Sequence, residues 1–216
     1  MMDRQTHAVK DMAALADWRR RVSETYAGIR AVPNHGAQAW TGWRAVRDDL
    51  FKSHAASPLS SDQQATLKEL AYFDYDPAFR FLVGISDTVD FTPQTIALMD
   101  DGPLTLTPAF ETIGLAEKLG RELTVHWIDG YGGGLFLAFT DATNGSETYG
   151  EGRYLLDGIK GADLGQIEDG RLVLDFNFAY NPCCAYAPRW SCPLPLEVNR
   201  LSSKILAGEK VVQKTA

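Results

Sequence analysis

All three cysteines of the chain, Cys183, Cys184 and Cys192, fall in the segment YNPCCAYAPRWSCPLPLEVNR, Tyr180 to Arg200, together with four prolines, two tyrosines and a tryptophan. Thiols so placed could ligate a metal or act as nucleophiles. A structural zinc site uses ligands at short regular intervals. Here two adjacent cysteines are followed by a gap of eight with no histidine close in sequence, so no metal site is expected. A reactive thiolate needs a neighbouring imidazole or a positive field, and His126 and His54 are the histidines placed to supply one. The plainer alternative is an inert thiol, because free cysteine packs like a small hydrophobe. Three cysteines so close together make no disulfide framework, and free thiols are expected.

The second residue with chemical potential is Arg153, in GGGLFLAFTDATNGSETYGEGRYL. A buried guanidinium requires an anionic partner. Asp175, Glu151 and Glu197 are the acids that could provide one internally, and a ligand anion is the alternative. Gly150 and Gly152 alternate through the same limb, which signals a bulge, a bend, or close approach by a ligand or another backbone. His126 alternates with Val125 and Trp127 and so faces away from both, which reads as a satisfied structural histidine. Arg47 shares a helical face with Phe51, and His54 follows at the helix end, where the dipole favours its cation. The two could present a cationic patch.

These residues need elements to hold them. Met12, Leu15, Trp18, Val22, Tyr26 and Ile29 recur at intervals of three and four, predicting a helix over 11–29 with Arg19, Arg20 and Arg21 on its outer face. A second helix fits Ala37 to Lys52, with Trp40, Trp43, Val46, Leu50 and Phe51 apolar. Ser60 or Ser61 could cap a short helical turn running to Leu70. After Tyr72 the period changes to two. Runs at Phe79–Ile85, Thr95–Met99, Leu104–Phe110, Glu122–Ile128, Leu135–Phe139, Thr148–Leu155 and Arg171–Phe176 are separated by Asp-Gly, Gly-Gly-Gly or Asn-Gly. Without helical crossovers these strands form an antiparallel meander. The predicted fold is α+β, mainly β: N-terminal helices packed on an antiparallel β-barrel or roll. It is read as a single domain of helical part (1–70), barrel (71–180), and proline-cysteine loop with tail (181–216). Gly133 to Tyr154 is expected to be one hairpin turning at Asn144-Gly145, and the residues after Gly208 are expected to be loosely held.

At 216 residues, 45% hydrophobic and 11% aromatic, the chain can build a substantial core. A net charge of -7 disfavours nucleic acid as a partner. No stretch of about 18 apolar residues is available to span a bilayer, and the N-terminus lacks the apolar run of a secretory signal, so a cytoplasmic location without membrane contact is expected.

Three motifs in order, RDDLFKSH with SPL, GGGLFLAFTDATNGSETYGEGRYL, and LDFNFAYNPCCAYAPRWSCPLPLEVNR with a closing AGE, resemble domain-of-unknown-function family 1684 over about residues 40 to 210. The resemblance implies a shared fold and site without an established activity. It points to Arg47, Asp48, His54, Ser57 and Pro58, then to Asp141, Thr143, Gly145, Thr148, Tyr149, Gly150, Gly152, Arg153 and Tyr154. In the last motif it points to Asp175, Asn177, Tyr180, Asn181, Pro182, Cys184, Tyr186, Cys192, Pro193, Leu194, Pro195, Glu197 and Asn199. Ala138 and Phe178 depart from the family pattern, which has proline and a basic residue there.

Three functional readings follow. In the first, a pocket at the barrel mouth binds, and could transform, a small anionic molecule. Its polar set is Arg153, Tyr149, Tyr154, Asp175, Asn177, Tyr180, Tyr186 and Asn199 beside Trp190, with Arg47 and His54 as the cationic patch and Cys184 or Glu197 as the reactive group. In the second, the same residues form a satisfied internal network in a structural or interaction module. A flavin in a split barrel is a third reading. Neither the ligand, any cofactor nor the oligomeric state is legible.

Overall fold

Two antiparallel helices open the chain, and their aromatic side chains form the lid of the main core. The computed structural model describes residues 2–98 and 102–211. Helix α1 (Met2–Arg30) buries Tyr26 and Ile29 and half-buries Trp18 and Val22, whereas Met12 is 63% exposed. The predicted stripe therefore faces inward from Leu15 onward and fails at Met12. Helix α2 (Ala37–Ser53) buries Trp40, Trp43, Leu50 and Phe51. Helix α3 (Ser61–Thr66) starts on a capping box, the Ser60 hydroxyl accepting from the Gln63 N–H while the Gln63 side chain accepts from the Ser60 N–H. It stops at Thr66, short of the expected Leu70, because Leu67 turns extended and the Leu70 N–H is taken by Asp48 Oδ1 at 2.8 Å.

Seven strands follow: β1 (Arg80–Ser86), β2 (Gln94–Leu98), β3 (Gly102–Ile113), β4 (Thr124–Ile128), β5 (Gly134–Phe139), β6 (Arg153–Asp157) and β7 (Leu172–Asp175), with a one-turn helix α4 (Ala116–Leu119) between β3 and β4. The predicted end of the second strand, Met99, lies outside the described residues. Every strand pair is antiparallel, in the order β6-β5-β4-β3-β1-β7 with β2 also on β3. Pairing of Tyr154 with Tyr180 and of Gln166 with Leu172 draws the two edges together, so the sheet curls into a nearly closed barrel. One face packs Leu106, Ile128, Phe136, Ala138 and Tyr154 against α1 and α2. The other encloses Val83, Val125, Leu137, Phe139 and Phe176 with Leu201, Ile205 and Ala207 of the C-terminal segment.

The β5–β6 connection differs from the expected tight hairpin. Phe139 pairs with Arg153, which leaves residues 140–152 as a loop, and strand geometry begins at Arg153 and not at Thr148. Asn144 does not adopt the positive φ that a type I′ turn requires, although Gly145 does, at 78°. Asn144 instead orders the loop, its Nδ2 donating to Tyr149 O at 2.6 Å and its Oδ1 accepting from the Asp141 N–H at 2.5 Å. Gly152 closes the loop at φ 93°, where an added Cβ would lie 2.5 Å from Phe139 O and 2.6 Å from Pro195. Its glycine thus serves close backbone approach, one of the expected alternatives.

The C-terminal segment is tied in beyond Gly208. Phe73 N–H donates to Gly208 O at 3.0 Å, Glu209 N–H to Ala179 O at 2.9 Å, and Lys210 N–H to Ala71 O at 2.8 Å. Glu209 is 1% exposed, which corrects the expectation of a loose end at that position.

Candidate functional site

The proline-cysteine segment lies along the rim of the barrel and forms one wall of an open groove of about 540 Å³. Ile96, Ala97 and Leu98 of β2 form the opposite wall, Tyr149 and Glu151 come from the β5–β6 loop, and Cys184, Trp190, Cys192 and Leu196 line the remainder. The segment holds its extended path through proline geometry and a single 3₁₀ turn at Cys183–Ala185. That turn aims the Cys184 N–H at Cys192 Sγ, 3.4 Å away. The Tyr149 hydroxyl contacts Cys184 Sγ from the other side at 3.9 Å.

Pairing with Cys184, the N–H groups of Cys183 and Cys184, and the nearby Lys160 charge all hold the Cys192 thiol below the usual thiol range. The same pairing, with burial, pushes Cys184 up. Burial and the adjacent thiol push the Tyr149 hydroxyl up to about 12, so it keeps its proton at neutral pH. Of the pair, Cys192 is the thiol held toward its anion and Cys184 the one held toward its protonated form, whereas the sequence alone pointed to Cys184 as the reactive group. The positive influence comes from backbone donors and a lysine, not from His126 or His54. All three cysteines are free. Among the described residues, no three His, Cys, Asp or Glu side chains converge as metal ligands would.

Arg153 is elsewhere. Because β6 begins at Arg153, its side chain enters the face covered by the C-terminal segment and is fully buried. Its NH2 group donates to Asp141 Oδ2 at 2.8 Å and to Ile205 O at 3.0 Å, while NH1 donates to the carbonyls of Ala207 and Glu209. The expected partners Asp175, Glu151 and Glu197 are all replaced by Asp141. Glu197 projects into solvent and pairs at 3.4 Å with Arg200, itself exposed. Among the described residues the groove has no lysine or arginine in its lining, and Glu151 is its charged side chain. An anionic ligand held by Arg153 therefore has no place in it.

The remaining predicted residues form two groups. Arg47 is half the key to the first: its NH2 donates to Glu209 Oε2 at 2.8 Å and its Nε to the Tyr72 hydroxyl at 3.0 Å, with its guanidinium over the rings of Trp43, Phe51 and Tyr180. Glu209 also accepts from the Tyr186 hydroxyl and from the Asn181 N–H at 2.9 Å. Arg47, Tyr154 and Tyr180 border an internal cavity of about 50 Å³ beneath α1 and α2, which has room for ordered water. His54 is not beside Arg47 in a cationic patch: its Nε2 lies 3.2 Å from Asp17 and its Nδ1 accepts from the Ala56 N–H. The second group is a set of clamps. Asn177 bonds Asp175 Oδ1 and both backbone groups of Asp76. Asn199 bonds both backbone groups of Thr124 and the Ala138 carbonyl. The Tyr154 hydroxyl donates to Pro193 O at 2.7 Å and fixes the proline segment to the barrel.

Sequence reasoning missed Glu209 as a hub, although the AGE that contains it had been marked as a motif. Residues 65–210 match the family described as protein of unknown function (DUF1684). The chain belongs to that family. The DUF1684 match begins after the RDDLFKSH and SPL motif, so Arg47 and His54 lie outside it. An uncharacterized protein of Haloarcula marismortui, solved by solution NMR, is similar at 30% identity and a TM-score of 0.54, over 80% of this chain and 92% of that one. No curated protein matches the chain. Among the described residues, no helix is long and apolar enough to cross a membrane.

Proposed function

We propose that this protein binds a small, mostly apolar molecule bearing a hydrogen-bond acceptor in the groove beside Trp190, and that Cys192 is the group that reacts with it or grips it. The observation that carries this reading is the Cys184 N–H on Cys192 Sγ at 3.4 Å, at the wall of an apolar groove. Backbone donors on a sulfur favour its anion. Trp190 adds a specific handle: its Nε1 is buried with no partner among the described residues, and an acceptor on the ligand would satisfy it. Apolar walls with a few placed polar groups are the usual make-up of a small-molecule site.

A fragment screen by protein-observed NMR, using small ketones, esters and amides, tests the binding step. Saturable shifts at Trp190 Nε1–H and along Ile96–Leu98, weakened in Trp190→Phe, are the expected result. Shifts scattered over the surface, or none, would remove the groove from consideration.

A second reading is favoured by one observation. Four buried polar residues of the family motifs, Arg153, Asp141, Asn177 and Asn199, are bonded to other buried side chains or to backbone. Their role is then to keep the barrel shape, with the groove as a docking surface for a partner.

A further inference from the structure

The β1–β2 side of the barrel holds a second, separate pocket. Strand β3 divides its outer edge between two partners: β2 pairs with Gly102–Leu106 and β1 with Glu111–Ile113. Residues 107–110 have neither partner on that edge, and Pro108, which has no N–H to offer, occupies this gap. The loop 87–93 spans it, leaving a pocket of about 410 Å³. His126 of β4, paired with Pro108 and Phe136, lines it and is 2% exposed. His126 does face away from Trp127, which is 43% exposed, but it is not the satisfied histidine expected from the sequence.

His126 Nε2 is buried with no partner among the described residues. Burial holds the ring below its usual pKa, and a backbone hydrogen bond to Thr124 opposes that. A neutral imidazole has one nitrogen that accepts a hydrogen bond, and Nε2, which no group among the described residues meets, is free for that role. Charge around it has one sign: Asp90 and Glu111 line the pocket, and no lysine or arginine does so among the described residues. Glu111 is only half-buried and Asp90 faces solvent, so a cation can reach both.

We propose that this pocket binds a small protonated amine, whose N–H donates to His126 Nε2 and whose charge is balanced by Asp90 and Glu111. An unsatisfied buried acceptor asks for a donor, and two carboxylates without a counter-charge favour a cationic one. The site is independent of the thiol groove.

The test titrates ethanolamine and putrescine, with glycerol as the neutral control, into protein with nitrogen-labelled histidine and follows the His126 ring resonances. The expected result is a saturable change at His126 Nε2 with the amines and a dissociation constant at least about fivefold weaker in Asp90→Asn/Glu111→Gln, a double variant that leaves the buried histidine in place. His126→Leu should abolish the amine effect on the loop 87–93 resonances. Glycerol binding as well as the amines, an unchanged constant in the double variant, or no saturable change at His126 would each overturn the proposal.

Discussion

Arg153 carries its charge into a position without solvent contact, and its planar fork is divided between Asp141 and three C-terminal carbonyls. Lysine cannot reproduce that fork. Arg153→Lys should therefore cost stability, by about 3–5 kcal/mol as for a broken buried pair, and leave fragment affinity in the groove unchanged once the protein is folded; urea unfolding and the NMR titration measure the two. Loss of affinity at full stability would return Arg153 to a binding role. Asp175 supplies a pH signature. Burial pushes its carboxyl up to about 6, against the Asn177 hydrogen bonds, and its Oδ2 lies 4.0 Å from His35 Nε2 with neither atom otherwise paired. A raised carboxyl pKa means that the folded state binds the proton more tightly than the unfolded chain, so this contribution falls as pH rises from about 4 to about 6. Asp175→Asn should flatten that slope and raise the melting temperature at pH 8 but not at pH 4. A variant with the wild-type slope would show that Asp175 is not its source.

At the scale of elements, the strands and helices were legible where one period governs one face. Trp40 and Trp43 bury as the helical stripe required, and the switch to alternation after Tyr72 marked the barrel. What failed was local reading of residues whose work is tertiary. Asn144-Gly145 looks like a two-residue turn, but the Asn144 side chain spends its amide on Thr148 and Tyr149 and holds a longer loop. His126 obeys alternation in the strand, yet its burial is decided by the loop across β3. Likewise the donors that favour the Cys192 thiolate come from a turn eight residues earlier, a contact no spacing rule announces. Gly152 is a sharper case, because only glycine fits both its φ of 93° and the 2.5 Å approach to Phe139 O. Gly152→Ala should destabilise the protein by more than the roughly 1 kcal/mol that glycine-to-alanine changes gain at compatible sites, and should raise hydrogen exchange across residues 140–152. A neutral or stabilising effect would refute the close approach.

Over the whole molecule, Glu209 joins segments that are distant in sequence: Arg47 of α2, Asn181 and Tyr186 of the proline-cysteine segment, and its own strand-like pairing with Tyr72. This hub explains why the helices and the rim segment share a core with the barrel. Double-mutant cycling of Arg47→Met and Glu209→Gln by chemical denaturation should give a coupling energy of about 1–3 kcal/mol. Additive losses would mean that the ion pair does not transmit between these parts. The family match was readable from the ordered motifs and the antiparallel barrel from the alternating period, whereas the separation of Arg153 from Cys184 and Trp190 depends on which face β6 presents after the loop.

The central claim, a thiolate at Cys192 beside an apolar groove, is tested most directly by the pH dependence of alkylation. Iodoacetamide rates resolved by mass spectrometry for each cysteine should show Cys192 reacting fastest at neutral pH, with a midpoint below the ordinary thiol value of about 8.5. The midpoint should move upward in Cys184→Ala, where no side chain is left to donate to the Cys192 sulfur. A Cys192 midpoint at or above the ordinary value, or fastest labelling at Cys183 or Cys184, would contradict the account.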